Sequence, residues 1–215
     1  MIIGGPALTK YNDRSLKDLT TAPASAPSSP GALVHIKTLT ASSSSTLSFV
    51  NGASSVVLDN TYPIYRFEFI NMHPANDTQE FQFNMSADSG SNYNVTKTTT
   101  YFRTYHNEAD SSATLLYRTG NDLAQSTNFQ MLADGVGNGN DECCSGTLHL
   151  FNPSDTTFTK YFTSRISAYE NNNGIRDNYC AGYGNTTSAV DAIQFKFGSG
   201  NIDAGTIKLY GIKDA

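Results

Sequence analysis

Tryptophan is absent from this chain, cysteine occurs three times, and charged residues make up only 15% of its 215 residues. Each shortage excludes something. Sugar-binding sites often lean on Trp, so its absence counts against a lectin-type surface built on large indole platforms. The cysteines are the adjacent pair Cys143 and Cys144, and Cys180. An odd count without a Cys-x-x-Cys pair or a Cys/His zinc pattern is no disulfide framework. Small apolar side chains in a core is the favoured reading, with a bridge from Cys180 to one of the pair left open. Free thiols fit assembly in a reducing cytoplasm. Net charge is −5 with no basic cluster, which leaves no footprint for nucleic acid or an anionic membrane. No apolar run approaches the ~18 residues of a membrane span, so no membrane insertion is expected. The start, Met1 to Pro6, is too short for a signal-peptide core and lacks its basic residues.

Lys and Glu are scarce, while Ser, Thr, Asn and Gly supply 84 of the 215 residues. Helix formers are therefore thin, and turn formers and β-branched residues are plentiful. Apolar residues alternate with polar ones in many short segments: Tyr65, Phe67 and Phe69; Phe81, Phe83 and Met85; Tyr101, Arg103 and Tyr105. Leu115 and Tyr117, Leu148 and Leu150, Phe162 to Ala168, Ile193 to Phe197 and Ile207 to Gly211 follow. Val34 and Ile36, Leu47 and Phe49, and the run Val56 to Leu58 supply the first strands. Polar turns separate them at Asp88–Asn92, Asp134–Asp141, Asn171–Gly174 and Gly198–Asn201. The one helical candidate, Asn121 to Leu132, has a loop-like composition. About ten short strands between turns predict an all-β, antiparallel sandwich or barrel. In the last strand Ile207 and Leu209 face one way and Lys208 and Tyr210 the other, as in a strand that completes a sheet and carries the chain end into its interior.

Before this domain lies a different kind of sequence. A head from Met1 to Leu19 is followed by a Pro/Ala/Ser run through Gly31, with Pro23, Pro27 and Pro30 closely spaced. Such a run favours extended conformations and reads as a semi-rigid spacer. Residues 1–31 are thus an extended N-terminal arm and residues 32–215 a β-sandwich domain. The apolar residues Ile2, Ile3, Leu8, Leu16 and Leu19 are the candidate attachment contacts of the arm.

Several segments carry a resemblance: Ser43 to Phe49, Tyr65-Arg-Phe-Glu-Phe-Ile-Asn-Met-His-Pro-Ala75, Thr99 to Phe102, Ser145-Gly-Thr-Leu-His-Leu-Phe-Asn-Pro153, Phe195 to Phe197, and Gly205-Thr-Ile-Lys-Leu-Tyr-Gly-Ile212. Together they resemble small structural proteins of marine tailed phages, including cyanobacterial ones, over roughly residues 40 to 212. The resemblance implies a jelly-roll-like sandwich, a place in the virion, and a non-enzymatic structural role. Other virion proteins are then the expected partners, through residues 1–31, and a homo-oligomer, as a trimer, follows by analogy with phage appendages. A tail fibre or appendage in host adhesion is one form of that role. A capsid decoration (cement) protein is the alternative, and a glycan-binding or glycan-degrading module a further one.

Local motifs for chemistry are weak. His106, Glu108 and Asp110 would share one face of a strand and resemble a divalent-metal set, but Asn107 to Ser112 also reads as a plain polar turn. The Asp134–Glu142 loop offers oxygens for calcium, yet Val136 and Ser145 stand where an EF-hand template needs ligands 3 and 12. No Gly-x-Ser-x-Gly elbow occurs, and His35, His73, His106 and His149 are scattered; His149, between Leu148 and Leu150, belongs on the outer face. No cofactor, metal or enzymatic activity is expected. For binding, Tyr169, Asn173, Asp177 and Tyr183 are the candidates. They combine rings and amides suited to a host-surface glycan, and the segments Asp134–Asp141 and Tyr169–Tyr183 are expected as loops at one end of the domain.

Overall fold

The computed structural model describes residues 33–213. The arm, with Ile2, Ile3, Leu8, Leu16 and Leu19, lies outside the described residues. Twelve strands follow in order: β1 (Leu33–Thr40), β2 (Leu47–Val50), β3 (Ile64–Pro74), β4 (Gln79–Ser86), β5 (Lys97–Asn107), β6 (Ala113–Tyr117), β7 (Gln130–Val136), β8 (Cys144–Phe151), β9 (Lys160–Glu170), β10 (Gly174–Gly184), β11 (Ala192–Phe197) and β12 (Ile202–Ile212). Every pairing is antiparallel, and no helix occurs among the described residues. The expected helical candidate at Asn121–Leu132 is instead a turn-rich segment that enters β7, where Leu132 is buried.

The strands form a long run, β1-β12-β3-β8-β9-β10-β5-β6, and a short one, β2-β11-β4-β7. A single pair, Val136 of β7 opposite Glu170 of β9, joins the two. Period-two alternation sets which face is buried. In β9, Phe162, Ser164, Ile166 and Ala168 are buried while Tyr161, Thr163, Arg165 and Ser167 are exposed. Phenylalanines from both runs fill the space between them. Phe67 meets Phe195 at 5.3 Å between ring centroids, Phe69 meets Phe81 at 5.1 Å, and Phe83 meets Phe162 at 4.9 Å. Each such side chain contributes roughly 1.5–3 kcal/mol by leaving water, which makes this ring cluster the main stabilising feature.

β12 lies between β1 and β3, as its two-faced sequence suggests, so this last strand is interior to a sheet. Val56 to Leu58, by contrast, is not a strand. Val56 and Leu58 are buried, but the Leu58 amide donates to Asn51 Oδ1 at 2.9 Å, and a side chain thereby replaces a strand partner. The largest departure is β10. The segment expected as a loop is a central strand, hydrogen-bonded along its full length to both β5 and β9. Its polar residues are satisfied locally: buried Asn178 donates to Ile166 O at 3.0 Å and accepts from Tyr101 Oη at 2.7 Å. A buried amide so paired costs little, and the strand tolerates it.

Candidate functional site

Tyr169, Asp177 and Tyr183 lie on strands β9 and β10, not on loops; only Asn173 occupies the turn between them. Tyr169, Asp177 and Tyr183 project from the solvent-facing side of the sheet. They do not converge on one pocket. Tyr169 sits opposite Ile175, eight residues along β10 from Tyr183, which is roughly 27 Å at strand rise. At the turn end, the Tyr169 hydroxyl lies 3.2 Å from both Glu108 Oε1 and Asn173 Oδ1, and burial together with the Glu108 charge raises its pKa. In the middle, Asp177 accepts from Arg165 Nη2 at 2.7 Å and Nε at 3.0 Å, and from the Tyr179 hydroxyl at 3.1 Å. At the far end, Tyr183 and Tyr161 stand 6.0 Å apart and tilted by 51°.

Pairing register places other residues beside these; of them the sequence reading had only Tyr179, within the Tyr169–Tyr183 segment. Tyr117, Phe102, Tyr179 and Arg165 lie side by side in one row across β6, β5, β10 and β9. Phe102 and Tyr179 stack at 4.7 Å with 4° between their planes, and the Arg165 guanidinium lies 5.1 Å from the Tyr179 ring centroid. The rings stand upright on the sheet, each shielding a neighbour's face. Two rows away, Tyr161 and Tyr183 flank an apolar trough of about 340 Å³ floored by Thr98, Thr100, Thr163 and Ala181. The signal that would have found the row is the alternation of Ile175, Asp177, Tyr179, Ala181 and Tyr183, all of odd number and all outward-facing.

The loop end of the domain holds a second concavity of about 610 Å³. Tyr62, Asn60, Thr61, Asn152, Asp155 and Thr157 line it. The Asp155 carboxylate caps the turn below by accepting from the Thr157 and Phe158 amides, which holds its pKa below the usual range.

The two metal-like segments resolve differently from a ligand shell. Asn107 ends β5, the His106 ring nitrogen Nε2 meets Asp110 Oδ1 at 3.0 Å, and Glu108 turns to Tyr169. In the Asp134–Glu142 segment, expected as a loop, β7 continues to Val136 and turns Asp134 inward. There it pairs with Arg103 and, at 3.5 Å, with Arg176, which also pairs with buried Glu170. Glu142 instead folds back to accept from the Gly139 amide at 2.6 Å. Asp134 and Glu142 therefore serve separate structural purposes. Among the described residues no group of three or more His, Cys, Asp or Glu is placed to hold a metal ion. Gly135, with φ of +62°, packs against the Arg176 guanidinium where a side chain would collide with it.

Cys143, Cys144 and Cys180 are all free thiols, and Cys144 and Cys180 are buried in the core. His149 is half-buried on the outer face between core residues Leu148 and Leu150, and burial lowers its pKa. The chain matches no protein-family model, no curated protein and no solved structure.

Proposed function

We propose that this chain is a non-enzymatic structural protein of a virion, attached through residues 1–31 and presenting its all-β domain on the particle. The observation that carries the reading is the surface of β9, β10, β5 and β6. Tyr161, Phe102, Tyr117, Leu115 and Ile175 are exposed there, 40% to 68% each. Clustered exposed apolar side chains on one sheet face mark a contact surface rather than a free one. An assembly component provides such a contact, and the resemblance of residues 40–212 to phage structural proteins supports a virion as that assembly.

The test is particle association. A chain beginning at Ala32 keeps every described strand and is expected to fold with unchanged β-sheet circular dichroism. It is expected to be missing from purified particles that contain the full-length protein. Normal incorporation of the truncated chain, or absence of the full chain from particles, counts against the reading.

Host-glycan adhesion is the second reading, and the loop-end concavity favours it. One ring, two amides and several hydroxyls suit the apolar face and hydroxyl groups of a sugar. Replacing Tyr62 with Ala is expected to weaken adsorption to host cells at least tenfold without altering particle content. Unchanged adsorption restricts the role to structure, as in a tail part or a shell-decorating protein.

A further inference from the structure

We infer that β6 is a homotypic docking edge, through which two copies of this chain join antiparallel, β6 to β6, into one continuous sheet. Among the described residues the strand ends the long run and pairs with β5 alone. All five of its residues, Ala113 to Tyr117, are exposed, which means that neither face rests on the core. Leu115 is 68% exposed and points outward with Tyr117; Leu116, 44% exposed, points to the opposite side, opposite Arg103 of β5. Edge strands are normally blunted by charge, proline, a bulge or brevity. The opposite edge of the same run is so protected, because β1 carries Lys37 and a register shift between His35 and Lys37. β2, at the end of the short run, has only four residues. β6, one residue longer than β2, carries no charge, proline or register shift.

Hydrogen-bond direction fixes the register of the pair. The Arg118 amide donates to Tyr101 O at 2.9 Å and Ser112 O accepts from the Asn107 amide at 3.2 Å. Even-numbered residues of this stretch therefore turn their backbone groups toward β5, and Ala113, Leu115 and Tyr117 turn theirs outward. An antiparallel pair centred on Leu115 sets Leu115 opposite its own copy and Ala113 opposite Tyr117 of the second copy. In that register every outward N–H and C=O finds a partner, giving six backbone hydrogen bonds.

Charge agrees with the same register. No charged residue lies within the strand, and Arg118 falls opposite Ser112 of the second copy, beside the turn that carries Asp110. Asp110 is 92% exposed in its side chain, which leaves it open to the Arg118 guanidinium of the second copy. Leu115, Leu116, Tyr117 and the strand backbone are what a second copy would cover along this edge. This pairing is twofold, in place of the trimer that the phage resemblance implies. The Pro/Ala/Ser spacer is a poorer occupant than a second copy, because its prolines lack donors.

Sedimentation velocity on the full-length chain, with amide exchange, tests the edge. Wild type is expected to pass from monomer to dimer over the micromolar range. The amides of Ala113, Leu115 and Tyr117 are expected to slow at least tenfold over that range, while that of Leu116, already donating to β5, does not change. Leu115→Lys and Leu115→Pro are expected to weaken dimerisation at least tenfold, the proline removing only an outward N–H. A wild type that is monomeric throughout, a trimer, or a dimer that persists in both variants overturns the proposal. So does a dimer lost only when residues 1–31 are removed, which would identify the arm as the occupant. Concentration-independent exchange at Leu115 and Tyr117 overturns it without recourse to any variant. The proposal is independent of particle association: a dimer absent from particles sinks the virion reading alone, and a particle-bound monomer sinks the edge alone.

Discussion

Lys97 and Asn84 meet in the interior of the domain, where the lysine Nζ donates to Asn84 Oδ1 at 2.5 Å. The ammonium also donates to Val95 O at 2.8 Å, and both acceptors are neutral. Asn84 in turn donates to Tyr93 O at 2.6 Å and Thr127 O at 2.9 Å, so the pair ties β4 and the start of β5 to two turns. Burial without a carboxylate partner lowers the Lys97 pKa to about 7.

The sign of the pH effect follows from that depression. Below about pH 7 folded and unfolded chains both hold the proton, and the folded state carries the full cost of a buried charge. As pH rises above 7 the folded chain is neutral at Lys97 while the unfolded chain stays protonated, so stability increases. Lys97→Met is expected to stabilise the protein at pH 6 by about 1–3 kcal/mol, with the gain shrinking by pH 9. Urea unfolding of both proteins between pH 6 and 9 checks this; a gain that does not change with pH refutes it. The range stops at 9 because the buried thiols, raised in pKa, withdraw stability above it.

Arg103, Asp134, Glu170 and Arg176 form a further charged cluster, at the single pair that joins the two strand runs. Removing one member leaves others charged and unpartnered. Arg176→Ala strips Glu170 of its guanidinium in a 2%-exposed site, and is expected to cost about 3–5 kcal/mol. Arg165→Ala removes an exposed pair with Asp177 and is expected to cost under about 1 kcal/mol. Equal losses in chemical denaturation would show that the seam is no more demanding than the surface.

The strand periodicity around large rings was legible in the sequence, because Phe67, Phe69, Phe81, Phe83 and Phe195 alternate with polar neighbours and all turn to one core. β10 was not, because Arg176, Asp177 and Asn178 look like a loop until their partners on β5, β7 and β9 are known. β7 was hidden for the same reason: Gln130 and Asp134 are polar but buried, each satisfied by residues distant in sequence. The candidate rings Tyr169 and Tyr183 were found, but their separation along one strand is set by pairing register, which composition does not encode. Val56 to Leu58 shows the converse error, since hydrophobicity alone marks burial and not strand pairing.

Thiol reactivity separates the three cysteines. Cys144 and Cys180 are buried and burial pushes both thiols well up, while Cys143 is only partly covered, with a pKa raised less. A thiolate reagent at pH 8 is expected to label Cys143 alone in the native protein, and all three in denaturant. Mass spectrometry of the labelled chain reads the site. Rapid native labelling at Cys180, or a chain that resists full labelling in denaturant because of a disulfide, contradicts the arrangement.

The C-terminal strand holds two neighbours at once, and its loss has a calculable scale. Among the described residues β1 pairs only with β12, and β3 would become an edge with Tyr65, Phe67 and Phe69 opened on one side. Ile202, Ile207 and Leu209 are fully buried, and at about 1.5–3 kcal/mol each their removal forfeits a sum comparable with the whole stability of a typical domain. A chain ending at Asn201 is therefore expected to be insoluble, whereas one ending at Lys213 behaves as the full protein. Leu209→Ala gives the graded version: the side chain is packed on all sides, so truncation leaves a cavity and is expected to cost about 2–5 kcal/mol. Its urea midpoint should fall while the slope holds, because the native and unfolded surfaces differ little from wild type. A soluble, cooperatively folding chain that lacks residues 202–215 would mean that β3 tolerates exposure as an edge, and that β12 is a cover rather than a structural requirement.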